Sequence, residues 1–188
     1  AGKGFLEDLL PFLRADSAVS EEKLNQNVLD AIKTDGKLYQ MPTAFSVIGA
    51  AGKHEIVGGY DAWTLDAMHD AMKKLPADAT VFNVDYTKDT VVFACLASSL
   101  SQFVDWESGT CSFETDAFKS FLSFADSFPA EFDTTNFDFD NYDSDSRRVG
   151  QKQQLLANIA FSGFDDIYYQ LKAMENDADF VGYPGVTG

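Results

Sequence analysis

The segment Gly36-Lys37-Leu38-Tyr39-Gln40-Met41-Pro42-Thr43-Ala44-Phe45-Ser46-Val47 constrains this chain more than any other. A glycine turn leads into an apolar stretch, Pro42 interrupts it, and small and aromatic residues carry it on. Pro42 fixes its own φ and biases Met41 toward extended backbone. Leu38 to Ala51 therefore reads as one long extended segment with a break in it. Such a segment can pass between two lobes and still present backbone to a ligand. The plainer alternative is an edge strand with a proline at a bulge.

Around it, strand-like and helix-like stretches alternate, which predicts an α/β architecture. Phe5 to Leu13 reads as an apolar helical turn containing Pro11. Ser20 reads as the cap of a helix that carries Leu24, Val28, Leu29 and Ile32 at helical spacing and ends at Asp35-Gly36. Thr64 caps a helix with Met68 and Met72, ended by Pro76; Thr80 to Val84 reads as a short strand. Lys88-Asp89-Thr90 opens an apolar helix running to Leu100 and Phe103. Asp105 to Phe113 reads as a tight hairpin or loop. Thr115 caps a helix whose Phe118, Phe121, Leu122 and Ala125 form one apolar face. Glu131 to Ser146 reads as an acidic loop, Arg147 to Gln154 as a polar helix and Leu155 to Ile159 as a short strand. Asp165 and Asp166 start a helix through Ala173, and Phe180 to Tyr183 is the last strand.

The totals exclude several functions. Thirty acidic residues against fourteen Lys and Arg leave a net charge of −16. That balance disfavours nucleic acid and anionic membrane surfaces. No apolar stretch reaches the roughly 18 residues that span a bilayer. Cys95 and Cys111 are too few for a disulfide framework and read as two buried thiols. His54 and His69 have no ligand-spaced partner, so no metal or cofactor is expected. Asp138 to Asp145 fails the EF-hand pattern, because Asp143 stands where its glycine belongs and Val149 where its glutamate belongs. Ala160-Phe161-Ser162-Gly163-Phe164 lacks the first glycine of a nucleophile elbow, so no catalytic residue is assigned. The chain starts Ala1-Gly2-Lys3-Gly4-Phe5 and stops on a strand entering a turn, so both ends read as cut from a longer chain.

Five segments in order carry a family resemblance: the Gly36–Val47 stretch, Trp63-Thr64-Leu65-Asp66, Phe103 to Phe118, Gly150 to Phe164, and Phe180-Val181-Gly182-Tyr183-Pro184. Together they resemble bacterial extracellular solute-binding proteins of ABC importers, the carbohydrate-uptake kind (family 1). The resemblance runs from about Phe5 to Gly188 and implies a periplasmic-binding-protein-like (type II) fold, here an incomplete two-lobe protein. Residues 1–45 would be the end of the first lobe and a crossover strand; residues 46–188 would be the second α/β lobe ending in the return strand. It implies a protein that captures a sugar or related polar solute, hands it to ABC permease subunits, and is not an enzyme. It also implies an extracellular or periplasmic location, with a lipoprotein anchor that would lie outside this stretch. The acidic loop 133–145 has no role in that family pattern; a non-catalytic interaction surface is a further possibility for it.

Sugars have polar edges and apolar ring faces, so aromatic rings and a few hydrogen-bonding groups hold them. The family's stacking aromatic corresponds best to Phe161, with Ser162 and Phe164 at the same strand end, before a helix. Asp165 reads as that helix's N-cap and can also bond a hydroxyl. Phe45 and Ser46 point to opposite sides of the crossover strand, so one faces a ligand. Asp89 and Thr90 begin a helix after a strand, a position that suits capping as well as binding. Trp63 and Trp106 correspond to structural positions and are expected in the core. The alternative function is a carbohydrate-active hydrolase using paired carboxylates such as Asp89 and Asp165.

Overall fold

A computed structural model describes residues 4–186. The first three residues, and Thr187 and Gly188 within the stretch of resemblance, lie outside the described residues. The chain divides into two compact units, Ala1–Ser46 and Val47–Gly188.

The first unit holds helices α1 (Leu10–Ala15) and α2 (Gln26–Ile32), with one 3-10 turn, Glu21–Lys23, between them. Leu10, Leu13, Leu29 and Leu38 are buried together, with Leu9, Leu24 and Ile32 packed around them. Asp8 ties the cluster, since its carboxylate accepts from the amides of both Leu10 and Leu38 at 3.1 Å. That bonding, from Leu10 above all, holds its carboxyl below the ordinary carboxylate range. Asp35 and Gly36 both take left-handed backbone, φ 51° and 71°, and close a two-residue turn between Thr34 and Lys37. Two expectations need correction. Ser20 introduces only the 3-10 turn; α2 begins at Gln26 because the Asn25 side chain accepts from the Val28 amide at 3.3 Å. Leu38 to Ser46 is not strand: Pro42 brings no donor to a ladder, and pairing begins only at Val47.

The second unit begins with strand β1 (Val47–Gly52) and helices α3 (His54–Val57), α4 (Leu65–Met72) and α5 (Lys88–Ser99), the last continued by a 3-10 turn to Gln102. A small hairpin follows, β2 (Val104–Asp105) and β3 (Thr110–Cys111), and then helices α6 (Asp116–Asp126) and α7 (Asp145–Gly150). Strand β4 (Ala157–Phe161), helix α8 (Phe164–Ala173) and strand β5 (Asp179–Phe180) complete it. Thr64 and Thr115 cap α4 and α6 as their sequence suggests, accepting from the Ala67 and Phe118 amides.

The sheet has the order β4-β1-β5, with both pairings antiparallel to β1. Strands β4 and β5 therefore run parallel to each other on either side of β1, joined through α8 as a split βαβ unit. The middle strand is Val-Ile-Gly-Ala-Ala-Gly, and its small residues are the reason two layers can close on it. A Cβ on Gly52 would meet the Leu155 carbonyl at 2.8 Å and Val57 at 2.6 Å. The main core joins Ile56, Met68, Phe82, Val91, Cys95, Phe121 and Leu156 from the loops and from α3 to α6. A second cluster lies on the sheet itself: Ala51, Val149, Ala157, Ile159 and Met174.

Several bounds differ from expectation. Thr80 to Val84 is not a strand; Thr80 makes one parallel bridge to Gln154, and the amides of Leu155 and Leu156 donate to the carbonyls of Thr80 and Val81. The pairing strand is 157–161 rather than 155–159, because the residues before Ala157 spend their amides on that bridge. The last strand is Asp179–Phe180, since Val181 and Gly182 both donate to the single Ala50 carbonyl and the ladder stops. The polar helix is Asp145–Gly150, and α1 starts only at Leu10. The acidic loop has its own small core: Phe137 packs against Phe132, Phe139 and Tyr142 at 4.8–5.0 Å between centroids. Its Asp133 and Asp138 are spent on local turns, accepting from Asn136 and Asn141.

Candidate functional site

The two ends of the sheet differ. Val47, Gly49 and Ala51 share one face of β1 with Phe161, Ile159 and Ala157 opposite them on β4. Ala51 also pairs with Phe180 of β5. At the Ala51–Ala157 end this face is sealed by Val149 of α7 and by Met174. At the Val47–Phe161 end it opens. Phe180 lies over Gly49, where a Cβ would come within 2.5 Å of its ring, and faces Phe161 with centroids 5.6 Å apart. Phe161 is half-buried, while Phe180 and Val47 are each nearly half exposed. On the opposite face of β1, Ile48 is 68% exposed. Strands β4 and β5 both point their carboxyl ends here, the side of an α/β sheet where ligands bind.

Helix α8 leaves from this end. Gly163 precedes it in extended backbone, and the Asp166 carboxylate accepts from the Ser162 amide at 2.8 Å, closing the first turn. Asp165 is thus not the cap; it sits exposed in the first turn with its carboxylate in solvent. Phe164 is 89% exposed, and Tyr168 and Tyr169 continue an open aromatic surface along the helix. No residue of α8 is fully buried. The arrangement offers flat apolar rings beside a serine, two carboxylates and helix amides. It suits a ligand with both an apolar face and hydroxyl groups.

Four of the eight residues singled out from sequence, Phe161, Ser162, Phe164 and Asp165, come together at this end. Of the other four, Asp89 and Thr90 stand on another helix of the second unit, and Phe45 and Ser46 belong to the first unit. Phe45 lies in the first unit, on a hollow of about 170 Å³ that Leu24, Val28, Met41 and Pro42 also line. Ser46 is exposed at the end of that unit. Asp89 and Thr90 form the first turn of α5, which no strand precedes. The Thr87 hydroxyl bonds both the Asp89 carboxylate and, at 2.9 Å, the Thr90 hydroxyl. The same hydroxyl holds the Asp89 carboxyl below its ordinary range, the wrong direction for a general acid.

Sequence reasoning missed Phe180, Ile48, Tyr168 and Tyr169. For Phe180 a signal exists: a large ring two positions before Gly182, where two small-residue segments meet. It also missed Phe93, 79% exposed on a groove that Asp89, Val92, Leu96 and Leu100 line along α5. An apolar helix reads as core, and only the tertiary structure leaves this face uncovered. Trp63 does pack against the main core, edge-on to Tyr60 at 5.7 Å. Trp106 does not: it is 76% exposed at the turn of the β2–β3 hairpin. There Asp105 accepts from the Glu107 and Ser108 amides, and that self-contained turn carries the ring outward. Cys111 is likewise exposed on β3, against expectation, whereas Cys95 is buried and its thiol is pushed up to about 12 by burial.

Burial also raises Tyr86 and Tyr183, whose hydroxyls bond at 2.9 Å inside the core. Asp145, raised by burial, accepts from the Asn158 amide at the start of β4. These groups fasten the sheet to the core. Among the described residues no group of three or more His, Cys, Asp or Glu is placed to hold a metal ion, and no helix is long and apolar enough to cross a membrane.

No protein-family model matches the chain, and no curated relative does. Solved structures do. The sugar-binding protein MalE from Xanthomonas citri superposes on 97% of this chain and 49% of its own, with a TM-score of 0.57 and 13% identity. An ABC transporter solute-binding protein from Thermotoga lettingae, bound with α-D-tagatose, covers 98% of this chain and 50% of its own, with a TM-score of 0.55 and 14% identity. An ABC substrate-binding protein from Listeria monocytogenes, in complex with cycloalternan, covers 87% and 45%, with a TM-score of 0.51 and 21% identity. The fold is that of the periplasmic-type solute-binding proteins. The chain spans about half the length of these structures. At such identities the match carries the architecture.

Proposed function

We propose that this chain is the second lobe and hinge region of a solute-binding protein of an ABC transporter, capturing a sugar or related polar solute without chemical turnover. Residues 1–45 contribute the end of the first lobe and an irregular crossover segment; residues 46–188 contribute the second lobe. The observation that carries the reading is the open aromatic end of the sheet: Phe161 against Phe180, with Phe164 uncovered beside Ser162 and Asp165. Solved proteins of the same fold, whose descriptions name a sugar-binding protein and a complex with tagatose, support it. Phe45 and Ser46 on the crossover segment, and Asp89 and Thr90 at the start of α5, are proposed as further ligand contacts. The whole protein would work at the extracellular or periplasmic face, anchored as a lipoprotein, and would deliver its solute to permease subunits.

The test is a thermal-shift screen of the full-length protein against monosaccharides, oligosaccharides, amino acids and short peptides. A ligand at 100 times its Kd adds about 2.7 kcal/mol of stability. A clear shift with one sugar class, with that sugar recovered unchanged, is the expected result. A flat response to sugars removes the carbohydrate assignment; consumption of the sugar favours a hydrolase.

A further inference from the structure

At the sealed end of the sheet, charged side chains hold a single short connection. Helix α8 ends at Ala173, and the chain must reverse before β5 starts at Asp179. It does so through Glu175 and Asn176, both left-handed, φ 63° and 57°. That conformation is unfavourable for a residue with a Cβ. The Asn176 amide donates to the Leu171 carbonyl at 2.8 Å, closing the turn, and the residues that follow β1 add side-chain fasteners to it. Lys53, 8% exposed at its side chain, donates from Nζ to Glu175 Oε2 at 2.8 Å and to the Gly150 carbonyl at 3.3 Å, and lies 4.0 Å from Asp177. His54 Nδ1 stands 2.8 Å from Asp179 Oδ2.

We infer that the His54–Asp179 pair is a pH-responsive clasp on the α8–β5 connection, closed when His54 carries its second proton and loosened when it loses it.

The two fasteners differ in what they can sense. Lys53 is held above its ordinary range by its bond to Glu175, so it stays charged across the neutral range and grips the turn at any such pH. His54 is two-thirds exposed and free to titrate. Its surroundings favour the proton. Asp179 faces it from β5 and Asp177 from the connection, while Glu175 is occupied by Lys53. On its own helix Glu55 is occupied by Lys152 at 2.8 Å, and at the end of that helix Lys74 Nζ reaches the Ile56 carbonyl. The bond to Asp179, and then its charge, raise the His54 imidazole above the ordinary histidine value. A group raised in the closed state adds stability that is complete below its open-state value, about 6.5, and that fades as pH climbs through the closed-state value. Asp179 is the residue before Phe180, so the clasp sits at the root of the ring that lies over Gly49. Loosening it frees the amides of Val181 and Gly182 that bond to the Ala50 carbonyl.

The test is an NMR titration of the full chain over about pH 5 to 9, where histidine changes charge. Hydrogen exchange of the Val181 and Gly182 amides is measured alongside and corrected for base catalysis. His69 is the only other histidine, so the signal missing in His54→Gln assigns His54. The expected result is that His54 titrates above its ordinary value. The opening constant of both amides then rises with pH by tenfold for each unit that separates the closed-state and open-state values. Asp179→Asn, nearly isosteric, should return His54 to an ordinary titration and flatten the pH dependence of opening. His54→Gln should flatten it while Lys53 still holds the turn. An ordinary titration of His54 in the unmodified chain overturns the clasp, and so does an opening constant that stays level across the range.

Discussion

The two ends of one three-stranded sheet do different work. At the Gly52–Ala157 end, small strand residues let α3, α7 and the connection after α8 close on the backbone, and the buried Lys53 bonds both Glu175 and the Gly150 carbonyl. At the Val47–Phe161 end, the same strands carry large rings that stay partly open. The lesson is that a pleated face need not be uniform along its length. Residues on one face, two apart along β1, pass from sealed Ala51 to half-open Val47 within about 13 Å, at roughly 3.3 Å per residue. One end is closed by packing, and the other is the end proposed above for a ligand.

Substitutions can break or sharpen that contrast. The largest loss is expected at the sealed end. Ile159→Ala removes a fully buried side chain and should lower the unfolding free energy by about 2–5 kcal/mol, read by denaturant titration with an unchanged slope. Next, Lys53→Met strips the donor from the Gly150 carbonyl and leaves Glu175 unpaired; a loss of about 1–3 kcal/mol is expected in the same assay. The open end should behave oppositely. Phe164→Ala should change stability by less than about 0.5 kcal/mol. It should nonetheless weaken binding of the sugar found in the screen by about 2- to 10-fold, the worth of one aromatic contact. If Phe164→Ala destabilises as much as Lys53→Met, the ring is structural and the contrast fails. The smallest effect carries the same distinction to the thiols. Cys111 should react with a thiol reagent in the native state with no measurable loss of stability, whereas buried Cys95 should react only on unfolding.

Much of this was legible in the residues. The caps Thr64 and Thr115, the Asp35-Gly36 turn and the α/β alternation are local or periodic features, and the structure follows them. The strand-to-helix junction at Phe161, Ser162 and Phe164 was also expected, from the resemblance and from the helix that follows it, and the structure places a strand end and a helix start there. What failed has a common cause. Trp106 and Cys111 both read as core by side-chain type, yet type says only what a residue gains when covered. Whether a neighbour arrives to cover it is decided elsewhere in the chain. Asp89 and Asp165 show the reverse limit: a carboxylate at a helix start looks the same in sequence whether it caps, binds or merely faces solvent.

By itself, then, the sequence determined the class of fold and most of the longer helices, since turns, caps and hydrophobic periods act over a few neighbouring residues. It also determined the acidic surface and the lack of a membrane-length apolar run. Only the tertiary structure decided where pairing starts along the Pro42 segment, that β4 and β5 flank β1, and that Phe180 settles over Gly49. It likewise decided that Lys53 is the buried hub of the α8–β5 connection. Those outcomes join residues more than a hundred positions apart, such as Lys53 and Glu175 or His54 and Asp179. Their energies exist only once the long loops between them have closed, and no local pattern records that closure.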